Sequence, residues 1–153
     1  MARPVERYTW TLRVSTAGKD RVTVFARTHQ FSVGAPVQFD AAYDAITALE
    51  YVLGAIGADV VHGLQTVARK RRVAVDHIEA VVEGELNNPL TYLSVVGERG
   101  HPGLERVSVK VYVASIAAEE AIRRVWQEMR ETSPLVRTFQ PAIRFELHWQ
   151  VVL

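Results

Sequence analysis

Hydrophobic and polar residues alternate in several parts of the chain, and a period of two is typical of a half-buried strand. Near the amino terminus Tyr8, Trp10, Leu12 and Val14 alternate with polar residues, and residues 17–20 then form a predicted turn. Further strands are predicted at residues 22–26, 31–33, 78–86, 107–113 and 143–151. The inward faces of the first and last of these strands are expected to carry core aromatic residues, namely Trp10, Phe145 and Trp149.

Between these strands the hydrophobic spacing changes to three and four, which predicts helices. A long helix is predicted from about Tyr43, with Asp40 as its cap, and its apolar stripe is Ile46, Leu49, Leu53, Ile56, Val60, Leu64 and Val67. Three glycines inside it favour the close approach of another backbone, as at a tightly packed helix–helix contact, although simple tolerance of glycine is the alternative. These are Gly54, Gly57 and Gly63. The helix ends in the basic run 69–72, which either binds an anion or is a solvated last turn.

Shorter helical segments follow in the second half of the chain. Asn88-Pro89 and Ser133-Pro134 each have the pattern of a cap followed by proline, and Ser115 is expected to cap the helix whose stripe runs from Ala118 to Met129. Residues 97–103 are predicted to form a loop. The resulting order β-β-(β)-α-β-(α)-β-α-(α)-β, without repeat or linker, predicts one α+β domain over residues 1–153.

Composition excludes several classes of function. The chain has no cysteine, so it has no thiol nucleophile, thiolate metal site or disulfide. A net charge of +1 gives no field that favours nucleic acid or an anionic membrane. The first 13 residues lack the apolar core of a signal peptide, and no apolar run reaches the length of about 18 residues that a membrane span needs. We therefore expect a cytoplasmic protein with neither a nucleic-acid nor a membrane partner.

The order of elements and two short segments resemble the OsmC/Ohr family, the osmotically inducible and organic-hydroperoxide-resistance proteins. Residues 48–59 resemble the family's Leu/Ala/Gly-rich helix that ends at the peroxide-reacting cysteine, and residues 133–136 resemble its Cys-Pro-Val segment. The resemblance extends from about Tyr8 to the end of the chain. It implies an OsmC-like fold with an antiparallel sheet, a long central helix and a second helix pair. It also implies an intertwined homodimer with pockets at the interface.

The sequence departs from the family where the chemistry takes place. By the resemblance, Asp59 and Ser133 occupy the positions of the reactive and resolving cysteines, and Ala48 and Leu49 occupy those of a proline and a glutamate. The family's arginine has possible counterparts in Arg21 and Arg27. Family members reduce organic hydroperoxides through a thiolate and a sulfenic acid, a cycle that neither carboxylate nor hydroxyl can perform. We expect hydroperoxide reduction to be absent, and a non-catalytic, stress-related homodimer that holds a small apolar organic ligand.

The alternative is an enzyme of unrelated, hydrolase-like acid/base chemistry. The candidate pocket residues are Glu50, Asp59, His62 and Ser133. Asp59 lies in an apolar helix with His62 three residues on, so it forms an acid/base pair, a polar anchor in a pocket, or a surface or interface carboxylate paired with arginine. Ser133 is either an N-cap or a nucleophile.

Glu50 lies nine residues before Asp59, hence on the opposite helix face. The five histidines lack metal-ligand spacing and there is no nucleotide motif, so neither metal nor cofactor is expected.

Overall fold

A computed structural model describes residues 7–153, which divide into two compact units, the first ending at Leu49 and the second beginning at Glu50. In the first unit three strands form an antiparallel meander in the order β1-β2-β3. They are β1 (Arg13–Thr16), β2 (Val22–Ala26) and β3 (His29–Val33). Gly18 has a φ of 103° in the first hairpin, and Arg27 has a φ of 55° in the second. Positive φ matches the twist of tight hairpin turns.

The first strand is shorter than its alternating pattern predicts. Residues 8–12 are not in a strand, because β2 pairs with β1 only as far as Arg13, opposite Phe25. Trp10, expected in the core, is 74% exposed, so that prediction is wrong for this residue. An alternating pattern specifies which side chains share a face. It becomes a strand only where a neighbour supplies backbone hydrogen bonds.

The long helix, α1 (Ala48–Lys70), begins later than its periodicity predicts. Asp40 does not cap it. Its carboxylate accepts a hydrogen bond from the backbone N–H of Ala42 at 2.9 Å, within a separate turn. Gly34 forms a bridge with Thr47 and donates its N–H to the carbonyl of Ile46 at 2.8 Å. This pairing holds the preceding residues out of the helix, and Ile46 is accordingly 53% exposed.

The second unit contains most of α1 and a three-stranded sheet in the order β4-β5-β6. Its strands β4 and β5 are antiparallel, whereas β5 and β6 are parallel. The parallel pair departs from the antiparallel expectation because two helices form the crossover between its strands. The elements after α1 are β4 (His77–Leu86), α2 (Pro89–Tyr92), β5 (Leu104–Ala114), α3 (Glu119–Thr132), α4 (Pro134–Phe139) and β6 (Arg144–Val152). The α+β class is thereby confirmed.

The core of this unit lies between its helices and its sheet. Alternate valines of β5, from Val107 to Val113, are at most 3% exposed and form one cluster with the apolar stripes of α1 and α3. Ile56 of α1 and Met129 of α3 are completely buried there. Phe145 and Trp149 of β6 pack against the cluster, as their alternating positions predict. No helix within residues 7–153 combines the length and apolarity needed to cross a membrane.

Two of the three glycines in α1 are close to another element. A Cβ atom at Gly57 would lie 2.8 Å from a methyl group of Val82 on β4, and one at Gly63 would lie 3.1 Å from Met129 on α3. A Cβ at Gly54 would meet nothing within 4 Å. The neighbouring atoms belong to side chains of a strand and a helix, so the expected close approach of another backbone is not observed at these glycines.

Of the four helix caps predicted from the sequence, Asp40 for α1 included, two are confirmed. Asn88 caps α2, and Ser133 caps α4. Ser115 does not cap α3, whose N-cap is Ala118. The Ser115 hydroxyl instead donates to the carbonyl of Ala74 at 2.6 Å. It thereby joins the end of β5 to the segment before β4.

The basic run at the end of α1 is partly neutralised by α3. Lys70 and Arg71 bond the two carboxylate oxygens of Glu128, at 2.6 and 3.1 Å. Two hydrogen bonds lower the pKa of Glu128 below its ordinary value. The bond from Lys70 has the larger effect, and the bond from Arg71 has the smaller one. A lowered folded-state pKa means that the contribution of Glu128 to stability is present at neutral pH and is lost as pH falls through that pKa.

Replacing Glu128 by glutamine is expected to reduce the acid sensitivity of the fold. The wild-type chain should lose stability between about pH 5 and pH 3 more steeply than Glu128→Gln, because only the wild type protonates this carboxylate on acidification. Urea unfolding at several pH values measures the difference. Glu131→Gln, one turn further along α3, is the matched control and should keep the wild-type slope. Equal slopes for wild type and Glu128→Gln would contradict the assignment.

Candidate functional site

The structure brings together Asp59 and Ser133, two of the four candidate pocket residues. Asp59 lies midway along α1, and Ser133 lies at the junction of α3 and α4, 74 residues later. The Ser133 hydroxyl donates a short hydrogen bond to Asp59 Oδ2. The long central helix is therefore joined to the helix pair by a polar contact at this point.

The position of Ser133 follows from its local sequence. Its backbone N–H donates to the carbonyl of Met129 at 2.8 Å and so ends α3. Its hydroxyl accepts from the N–H of Val136 at 3.3 Å and so begins α4, with Pro134 as the first helical residue. The N-cap expectation is confirmed. Ser133 is only 3% exposed, which leaves no open approach to its hydroxyl oxygen.

The Asp59 carboxylate also contacts the backbone of α4. Its Oδ2 accepts from the N–H of Leu135 at 3.1 Å, in addition to the Ser133 hydroxyl. N–H groups in the first turn of a helix lack partners within that helix, and negative charge is favourable there. Asp59 therefore satisfies two donors at the start of α4. The sequence suggested an arginine as one possible partner of Asp59. The observed partners of its part-buried carboxylate are the Ser133 hydroxyl and the Leu135 N–H of α4.

The other two candidate residues lie apart from this contact. His62 is exposed on α1, and no hydrogen bond of residues 7–153 joins it to Asp59. Glu50 is exposed near the start of the same helix, half a helical rotation away from Asp59. The observed pairing is therefore Asp59 with Ser133.

Arg21, one of two possible counterparts of the family's arginine, is held within the first unit. Its guanidinium donates to Asp20 Oδ1 and to the Tyr43 hydroxyl, each at 2.7 Å, and also bonds Asp44. Burial alone would lower the pKa of Arg21, but the charges of these neighbours raise it above its ordinary value. Arg21 is thus a permanent cation that joins the first hairpin to the segment before α1.

Arg27, the other possible counterpart, is exposed in the second hairpin, where its backbone has a positive φ. Among the residues that the structure describes, no group of three histidine, aspartate or glutamate side chains is arranged to hold a metal ion.

Reasoning from the sequence missed two features of the structure. The Leu135 N–H, a donor to Asp59, carries no side-chain signal, although Ser133-Pro134 marks a helix start whose free N–H groups need acceptors. The other is a depression lined by residues between 65 and 78. Of its lining residues, only Arg69 belongs to the basic run 69–72, for which anion binding was one interpretation.

The fold and this contact define an OsmC-like α+β protein in which the carboxylate of Asp59 meets the hydroxyl of Ser133. The profile of the family described as OsmC-like protein matches residues 41–148. The chain belongs to this family. A search among curated proteins finds no match.

Solved structures of family members have the same fold at low sequence identity. An OsmC-like protein from Mycoplasma pneumoniae is 14% identical, with a TM-score of 0.80 over 95% of this chain and 99% of that one. An organic hydroperoxide resistance protein from Elizabethkingia anophelis is 14% identical, with a TM-score of 0.69 over 95% and 99%. For OhrB of Bacillus subtilis the identity is also 14%, with a TM-score of 0.60 over 92% and 98%. The expected fold class is confirmed.

Proposed function

We propose that this chain is an OsmC-like protein that has lost thiol peroxidase chemistry and acts as a small-molecule-binding or non-catalytic homodimer in a stress-related role. The observation that carries the proposal is the Asp59–Ser133 hydrogen bond in a chain without cysteine. We place the protein in the cytoplasm and propose that residues 1–153 act as a single domain. Glu50, Asp59, His62 and Ser133 remain the residues proposed around its pocket.

The chemistry of the two side chains supports the loss of peroxidase activity. Thiol-dependent reduction of a peroxide needs a sulfur nucleophile that becomes a sulfenic acid, which a second thiol then converts into a disulfide with loss of water. Asp59 and Ser133 have no such oxidation states. Their contact joins α1 to α4 without any redox chemistry.

Exposed apolar side chains support the proposed homodimer. Tyr8 and Trp10 are more than 70% exposed, and their ring centroids lie 4.5 Å apart. Large apolar residues grouped on a surface are typical of interaction sites. The alternating residues 8–12, which pair with no strand among residues 7–49, are suited to pairing with a second copy of the chain.

An acid/base enzyme that uses Asp59 is the weaker candidate. The carboxylate does contact a hydroxyl, as a general base would. However, Ser133 is buried, its oxygen caps α4, and His62 points to an exposed face. No substrate atom can reach the hydroxyl without opening the end of α3.

The loss of peroxidase activity predicts no turnover of cumene hydroperoxide in the presence of dithiothreitol. Peroxide consumption should match the uncatalysed background for the wild-type chain and for Asp59→Ala alike, because neither contains a thiol. Consumption above background that disappears in Asp59→Ala would contradict the proposal.

Native mass spectrometry of the purified protein tests the other half of the proposal. We expect a dimer that carries additional non-covalent mass, which identifies the ligand. A monomer would contradict the homodimer. A dimer without added mass would leave only the non-catalytic form of the proposal.

A further inference from the structure

A depression separate from the Asp59–Ser133 contact lies beside the end of α1. It has a volume of about 330 Å³ and is lined by residues of α1, of the connection between α1 and β4, and of the beginning of β4. Pockets for small organic molecules typically occupy about 300–1,000 Å³. The volume suits a compact ligand. The lining residues that matter are Gln65, Ala68, Arg69, Val73, Asp76 and His77.

The backbone around the depression is held by several hydrogen bonds. Arg72 has a φ of 56°, and the N–H groups of Arg72 and Val73 donate to the carbonyls of Arg69 and Ala68 at 3.2 and 2.8 Å. This pair of bonds is the Schellman arrangement, which ends a helix with a defined turn. The N–H of Asp76 donates to β5, in addition to the Ser115 bond already described. The depression is therefore preformed, which lowers the entropic cost of binding.

The charges in the depression are not neutralised by ion pairs within the described residues. Lys70 and Arg71 bond Glu128, whereas Arg69 makes no ion pair with any of residues 7–153. Gln65 lies one turn before Arg69 on the same helix face, so its amide and the guanidinium are neighbours. Ala68, only 4% exposed, and Val73 supply an apolar wall. A guanidinium beside an apolar wall matches a carboxylate attached to a compact hydrocarbon body.

We propose that this depression is a second ligand site, which binds a small organic monocarboxylate. The carboxylate group lies against Arg69 and Gln65, with His77 at the rim, and the hydrocarbon body lies against Ala68 and Val73. Asp76 lines the same depression, and its negative charge disfavours anions that carry more than one charge. The site is thereby selective for monocarboxylates over phosphate. It does not depend on the function proposed for Asp59 and Ser133.

Titration of the isotope-labelled protein with benzoate tests the proposal. Benzoate should shift amide resonances between residues 65 and 78, while benzamide, its neutral isostere, and inorganic phosphate should bind at least about tenfold more weakly. Arg69→Gln should weaken benzoate binding by about tenfold or more, because it removes a charge-assisted pair. Arg99→Gln is the matched control. It removes the same charge from an exposed position that does not line the depression, and it should keep wild-type affinity.

Several outcomes would overturn the proposal. They are equal binding of benzoate and benzamide, equal loss in Arg69→Gln and Arg99→Gln, and resonance shifts confined to residues outside 65–78. Tight binding of phosphate would also overturn it, because it would show that Asp76 exerts no selection. The peroxide assay and native mass spectrometry report on the other site. A negative result in either of those experiments does not affect the benzoate titration. A negative benzoate titration likewise does not affect the function proposed for Asp59 and Ser133.

Discussion

Replacing Asp59 by alanine is expected to lower the free energy of unfolding by about 3 kcal/mol, a large fraction of the stability of a domain of this size. The substitution leaves the Ser133 hydroxyl and the Leu135 N–H without their acceptor. Each buried donor without a partner costs about 1–3 kcal/mol, and bonds to a charged acceptor lie in the upper part of the range. The loss should be visible as a lower urea midpoint at neutral pH.

Companion variants separate this bond from a general effect of mutating α1. Asp59→Asn keeps one acceptor oxygen and should lose less stability than Asp59→Ala. His62→Ala, at an exposed position one turn along the helix, should change stability by no more than about 0.5 kcal/mol. A double-mutant cycle of Asp59→Ala with Ser133→Ala should give a coupling energy of at least about 1 kcal/mol. Additive losses would show that the two side chains do not interact.

Cysteines introduced at both positions are expected to form a disulfide on oxidation, because the side chains of Asp59 and Ser133 are already in contact. The bond would close a loop spanning 74 residues, for which the entropy model gives about 4 kcal/mol, and engineered disulfides often deliver less. The oxidised Asp59→Cys/Ser133→Cys protein should therefore be about 2–4 kcal/mol more stable than its own reduced form. Thiol titration and urea unfolding measure both effects. Each single-cysteine variant serves as a control that cannot form the bond within one chain.

The reduced double-cysteine protein should also consume cumene hydroperoxide faster than the wild-type chain. A thiolate attacks the peroxide oxygen and releases cumyl alcohol, leaving a sulfenic acid. The second thiol then attacks the sulfenic sulfur, forming the disulfide and releasing water. Dithiothreitol then reduces the disulfide. If the disulfide forms but peroxide is not consumed, restoring the two thiols is not sufficient for peroxidase activity. Ala48 and Leu49 would then be the first further positions to test. Failure to form the disulfide would show that the Cβ atoms at positions 59 and 133 lie too far apart for an S–S bond.

Local sequence patterns predicted helices and strands best where the stabilising contacts are with residues adjacent in sequence or with the hydrophobic core. The alternating valines of β5 and the stripe of α1 have enough apolar residues to specify which face is buried, and those faces form the observed core. Ser133-Pro134 and Asn88-Pro89 marked helix starts because a cap and a proline act through adjacent residues. Predictions were weakest at boundaries. Thr47 is held by a bridge to Gly34, and residues 8–12 pair with no strand among residues 7–49.

The sequence by itself determined the α+β class, the family and the loss of the thiol, because these depend on periodicity, on short motifs and on the absence of cysteine. The tertiary structure alone decided that Asp59 bonds Ser133 and Leu135 rather than an arginine or His62, and that Arg69 lines a depression while Lys70 and Arg71 bond Glu128. Hydrogen bonds between residues far apart in the chain depend on how helices pack. A single sequence specifies the donors and acceptors, and packing selects which of them meet.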